Sequence, residues 1–133
     1  MEWRRSYLIK LLVMKSSIFV FVCLLLSCVQ ETTPKITVLG QVAFEKKISE
    51  DGVQLVDVRT PDEWSEGVIT NAALINYFDK DFKAQLGKLD KNKPIAVYCK
   101  SGGRSGKTTQ ILSELGFKEI YDLKGGYLNW NKH

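Results

Sequence analysis

Histidine is all but missing from this chain: the 133 residues hold one, at the terminal position 133. Without imidazoles there is no Cys/His cluster, so no metal centre is expected, and nothing points to a cofactor. His133 itself reads as a frayed terminal residue. Cysteine is scarce too, with Cys23, Cys28 and Cys99. Basic runs with interleaved aromatics are absent, which leaves nucleic-acid binding unsupported. Internal repeats and low-complexity tracts are absent as well.

Long apolar runs are limited to one stretch. Residues 18–26, Ile-Phe-Val-Phe-Val-Cys-Leu-Leu-Leu, are continuously apolar. That is too short for a permanent transmembrane helix. Arg4, Arg5, Lys10 and Lys15 precede it, and a basic region before a short apolar core fits a secretory signal peptide. The run closes on Leu25-Leu26-Ser27-Cys28, which resembles a bacterial lipobox. The expectation is a leader over 1–27, lipid attachment at Cys28, a polar tether over 28–35 and a domain over 36–133. The location that follows is the cell envelope, on the periplasmic side or at an outer membrane, with the lipid as the only membrane contact. An ordinary anchor helix with an incidental cysteine is the competing reading.

Removing 1–27 leaves 15 basic and 14 acidic side chains, so the net charge falls from +4 to +1. The basic excess belongs mostly to the leader. Only Cys99 then remains in the domain beside the lipid-bearing Cys28, which excludes an internal disulfide. A lone thiol in an exported protein suggests a reactive group.

Along the domain, apolar strands alternate with helical segments. Strands are predicted at 36–38, 53–58, 72–75, 94–98 and 120–123. Helices are predicted at 41–49, after Thr60, at 81–89, at 105–115 and from Gly126 to Trp130. Thr60, Pro61 and Glu63 make a capping box with proline in the first turn. Trp64 is expected to face the core from that helix, and Gly116 to end the 105–115 helix. Short connections between alternating elements imply a three-layer α/β/α domain around a five-stranded parallel sheet. Active sites in such folds lie beyond the carboxyl ends of the strands. Cys99 lies just beyond one predicted strand, and Asp57 and Arg59 lie at the end of another.

The stretch Cys99-Lys100-Ser101-Gly102-Gly103-Arg104-Ser105 is the strongest chemical signal. A strand, a glycine-containing loop and a helix start can form a ring of backbone N–H groups that favours an anion. Cys99 in that ring is expected to be a thiolate near neutral pH. Lys100 and Arg104 add positive charge.

Four segments together resemble the rhodanese family of sulfurtransferases in its single-domain form. Asp57 to Trp64 looks like the family's D-x-R-x-x-x-E-[FYW] signature, and Glu66 to Ala72 like its E-G-H-I-x-G-A segment. Tyr98 to Ser105 looks like its active-site loop, and Leu123 to Trp130 like its closing L-x-G-G-x-x-x-W. Val68 and Asn71 depart from the usual histidine and glycine.

The resemblance implies a Cys99 persulfide. It forms from a small anionic sulfur donor such as thiosulfate and passes its sulfur to cyanide, a thiol or a protein thiol. Arg104 is expected to brace the loop and favour anionic sulfur. Arg59 matches a family position near the pocket mouth, where it can hold an anionic substrate, with Lys100 assisting. Ser101 and Ser105 can bond within the loop or cap the helix. Gly102 and Gly103 allow positive φ or close backbone approach. Asp57 is read as ordering the backbone rather than reacting. Related cell-cycle phosphatases carry one more residue between cysteine and arginine. The six-residue loop from Cys99 to Arg104 therefore ranks sulfur transfer above phosphatase or arsenate reductase chemistry. A persulfide-carrying or binding module for a protein partner stays open.

Overall fold

The computed structural model describes residues 2–11 and 33–130. The chain divides into two units, 1–32 and 33–133. In the first, residues 2–11 are helical (α1), with Trp3, Tyr7 and Leu8 exposed. The apolar run 18–26 and the lipobox with Cys28 lie outside the described residues.

The second unit runs β1 (Lys35–Leu39), α2 (Gln41–Ile48), β2 (Gln54–Asp57), α3 (Pro61–Ser65), β3 (Ala73–Leu74), α4 (Phe82–Leu86), β4 (Ile95–Tyr98), α5 (Gly103–Glu114), β5 (Glu119–Leu123) and α6 (Tyr127–Trp130). All five strands are parallel, in the order β1-β5-β4-β2-β3. The central strand β4, Ile-Ala-Val-Tyr, is buried at every position. Covered on both faces, it reads as a continuous apolar run rather than an alternating one.

Alternate strand residues supply two cores. Val56, Ile95, Val97 and Ile120 join Phe82, Leu86, Leu112 and Phe117 on the α4/α5 face. Leu55, Ala96, Tyr98, Tyr121 and Leu123 join Phe44 on the other, with Tyr127 and Trp130 packed against them. The period-2 geometry of a strand makes this division.

The turns follow local chemistry. The α3 capping box forms, with Thr60 and Glu63 bonding each other's backbone N–H. Gly116 takes φ +96 after α5, as a helix-ending glycine does. Trp64 departs from expectation. It is half-buried and belongs to neither core, because a five-residue helix has too few turns to present a full inward face. Helix α5 also starts earlier than predicted, at Gly103. Helix α4 is shorter than the predicted 81–89 segment.

Candidate active site

Strand β4 ends at Tyr98 and delivers Cys99 to the top of the sheet. The next residues turn sharply: Gly102 takes φ +102, a left-handed conformation that suits glycine. That turn brings the Gly102 N–H back to donate to Cys99 Sγ at 3.1 Å. Helix α5 begins at the following residue with no side-chain cap. Its first-turn N–H groups therefore lack intrahelical partners, and the positive end of its dipole meets the loop. Cys99 is 1 % exposed, so the loop is closed around its sulfur. Lys100 and Ser101 are exposed at the rim, while Ser105 is fully buried and donates to the Gly102 carbonyl at 3.3 Å. Gly103 has open space where a Cβ would point.

Arg104 supports the loop from outside. Its guanidinium makes a two-pronged pair with Glu63, at 2.8 and 2.7 Å. It also lies 5.8 Å from the Phe78 ring centre. Glu63 is at once the capping residue of α3, accepting from the Thr60 N–H at 2.9 Å. The Arg104 hydrogen bond, helped by those from Thr60, holds the Glu63 carboxyl down at about 2, against an ordinary 4.5. Glu63 in turn raises Arg104. Sequence patterning identified Glu63 as a cap but not as the arginine's partner, since the two lie 41 residues apart.

The closing glycines have a firmer role than a bare turn. Gly125 and Gly126 take φ +75 and +63. A Cβ on Gly126 would stand 2.5 Å from the Cys99 carbonyl oxygen and 2.6 Å from that of Lys100. This close approach lets the Tyr127 N–H donate to Cys99 O at 2.8 Å and the Leu128 N–H to Lys100 O at 3.0 Å. The start of α6 thus clamps the reactive loop by its backbone.

Arg59 requires a correction. It is not at a pocket mouth: it is 1 % exposed and paired with Asp57, which is fully buried. Its Nε and Nη2 bond the Asp57 carboxylate, Nη2 also donates to Gly67 O at 2.6 Å, and Nη1 donates to Glu63 O at 3.1 Å. The guanidinium lies 3.9 Å from the Tyr127 ring centre. The reason is strand alternation. Asp57 points to the Tyr98/Tyr127 face, opposite the face that carries Cys99. Asp57 orders backbone, as its Oδ1 accepts the Arg59 N–H at 2.9 Å. Asn71, where glycine was usual, takes φ +67, so the turn survives on a residue that tolerates it.

A family description, the Rhodanese-like domain, matches residues 41–133. A tRNA uridine(34) hydroxylase from Pelagibacter ubique is 37 % identical over 93 residues, 68 % of this chain but only 30 % of that protein. The chain likewise spans 60 % of an uncharacterised Bacillus subtilis protein, YqhL, at 39 % identity over 58 % of its own length. A thiosulfate sulfurtransferase, GlpE, from Coxiella burnetii is 38 % identical over 61 % of this chain and 74 % of its own. Among solved structures, a Staphylococcus aureus rhodanese-like domain protein superposes with TM-score 0.63 at 29 % identity, over 71 % of this chain and 91 % of that one. A rhodanese-related protein from Thermoplasma volcanium gives 0.62 at 29 %, over 71 % and 89 %. With its sheet order, its cysteine loop and these likenesses together, the chain belongs to the rhodanese-like domain family.

Proposed function

We propose that this protein is a sulfurtransferase working through a persulfide on Cys99. The observation that carries the reading is the Gly102 N–H at 3.1 Å from Cys99 Sγ, at the uncapped start of α5. A donor aimed at the sulfur stabilises negative charge there, both on a thiolate and on a persulfide. The Cys99 thiolate attacks the outer sulfur of thiosulfate. A new S–S bond forms, the donor's S–S bond breaks, and sulfite leaves with the electron pair. A nucleophile, cyanide or a thiolate, then attacks the terminal sulfur and Cys99 leaves as thiolate. No net oxidant or proton is needed. The tight six-residue loop suits a single sulfur atom better than a phosphate group, and the likeness to thiosulfate sulfurtransferases supports the same chemistry.

The test is intact-mass measurement of the full chain after incubation with thiosulfate. One added sulfur atom is expected, discharged by cyanide, and Cys99→Ser abolishes both. Phosphatase activity on aryl phosphates without sulfur uptake refutes the reading.

For location, we propose cleavage before Cys28 and lipidation of that residue. The support is the basic, apolar segment ahead of Leu25-Leu26-Ser27-Cys28. A labelled fatty acid is expected to enter the full-length chain and not its Cys28→Ala variant. No label in the unaltered chain overturns this.

A further inference from the structure

The firmness of the backbone clamp on the cysteine loop depends on what holds α6 in place. With four residues, α6 is too short to keep its own shape, so its side chains must anchor it. Leu128 is 51 % exposed, and Asn129 turns back to donate to Lys124 O at 3.0 Å. Two aromatic side chains remain. Trp130 meets Phe44 edge-on, with 6.4 Å between ring centres. Tyr127 turns to the buried pair of Asp57 and Arg59.

Three groups hold the Tyr127 side chain. The Arg59 guanidinium lies 3.9 Å from its ring centre. The Tyr98 ring stacks on it, with centres 6.0 Å apart and planes 22° from parallel. A Cβ on Gly67 would stand 2.6 Å from the Tyr127 hydroxyl oxygen, so that hydroxyl fills the space the glycine leaves. These neighbours are themselves fixed. Arg59 is bonded to the Asp57 carboxylate and to the Glu63 and Gly67 carbonyls. The Tyr98 hydroxyl accepts the Ile69 N–H at 3.0 Å. A guanidinium whose N–H groups bond in its own plane leaves its face for a ring. Tyr127 also carries the N–H that donates to Cys99 O at 2.8 Å. Ring and N–H share one Cα, so the seat of the ring decides where the N–H stands.

We propose that Tyr127 is a positioning residue: its ring, seated on Arg59, sets its N–H against Cys99 O and so holds the turn in which the Gly102 N–H meets Cys99 Sγ. Tyr127 acts through the loop and takes no part in bond making. It carries the rigidity of the buried Asp57–Arg59 pair, on one face of the sheet, to the sulfur on the other. Arg59 thereby serves the site without touching a donor. The assignment rests on Cys99 being the reacting group.

The test compares side chains at position 127 in the full chain in detergent at neutral pH, each variant checked as folded by circular dichroism. Exchange of the Gly102 amide is followed by NMR, and sulfur uptake from thiosulfate by intact mass. Tyr127→Leu keeps apolar bulk and loses the ring face. It is expected to speed the exchange and slow the uptake, each about fivefold, the scale of one cation–π contact. Tyr127→Phe keeps the ring and is expected within about twofold on both. Trifluorophenylalanine at 127 keeps the shape but drains the ring face of negative charge, so it remains informative if the leucine variant unfolds. It is expected to speed Gly102 exchange about threefold over phenylalanine. Leu89→Ala is the control for general loosening. Leu89 packs on the other core, next to Asp90, whose backbone pairs with Gln54 at the far end of β2. It is expected to lower the urea midpoint and leave both rates within about twofold. Equal losses in the Phe and Leu variants, no loss in either, no effect of fluorination, or a Leu89→Ala loss matching that of Tyr127→Leu refutes the proposal. If the unaltered chain takes up no sulfur while Gly102 exchange follows the ring as expected, the transfer reading fails and the positioning of the loop stands.

Discussion

Glu63→Gln removes one charge and almost nothing else, because glutamine serves the α3 capping box nearly as well as glutamate. What it breaks is the two-pronged pair with Arg104. The fall of Glu63 from 4.5 to about 2 corresponds to about 3 kcal/mol as an upper bound, at 1.36 kcal/mol per pKa unit. The two side chains remain 15 and 20 % exposed, so solvent screens part of it. A loss of about 2 kcal/mol at neutral pH is expected. For a domain of this size that lowers the melting midpoint by about 10 °C. The pH dependence is set by a carboxyl depressed in the folded state. Its stabilisation is fully present above the unfolded value of 4.5 and is lost as pH falls toward 2. Urea unfolding of both proteins from pH 7 to pH 3 measures this. The gap between them should be constant down to about pH 5 and more than half closed by about pH 3. A gap that does not change over this range refutes the assignment of the stabilisation to the ionised pair. Because Arg104 also sits at the first turn of α5, sulfur uptake should fall with the gap present and not recover on adding Arg104→Leu.

Arg59→Ala should unfold the domain rather than weaken donor binding: it strands Asp57 as an unpaired buried charge, at a cost of about 3–5 kcal/mol, read by denaturant titration. A rise in the apparent Michaelis constant with unchanged stability would contradict the buried placement. Gly126→Ala should displace the loop, since its Cβ meets Cys99 O at 2.5 Å, and should slow both sulfur uptake and Cys99 alkylation. Asn71→Gly should be neutral or raise the urea midpoint slightly, whereas Asn71→Val should cost about 1–2 kcal/mol, because φ is +67 there.

The alternation of strands and helices was legible because each buried strand is a short apolar run ended by a turn residue. The strand order β1-β5-β4-β2-β3 was not legible, because parallel crossovers fix handedness and leave the order open, but the five strands fall within a residue or two of expectation. The two-residue β3 is the weakest match, since both its residues are exposed and only pairing with Val56 and Asp57 defines it. The cysteine loop was legible from its glycines. What could not be read were pairings set by distance in the fold. Arg104 finds Glu63 across 41 residues, and Arg59 turns away from the sulfur because strand parity assigns Asp57 to the opposite face. The burial of Asp122 gave one clue only, a carboxyl between Tyr121 and Leu123 in the buried part of β5. The Gly125-Gly126 pair gave another, two successive residues without side chains where two backbones touch.

The backbone clamp between α6 and the cysteine loop has a temporal consequence. Synthesis proceeds from the amino end, so Cys99 emerges from the ribosome ahead of Gly126, Tyr127 and Leu128. Until they arrive, the carbonyls of Cys99 and Lys100 lack the N–H groups that hold them in the finished domain. The Cys99 loop therefore reaches its finished geometry only when α6 docks, because the residues that hold it follow it in the chain.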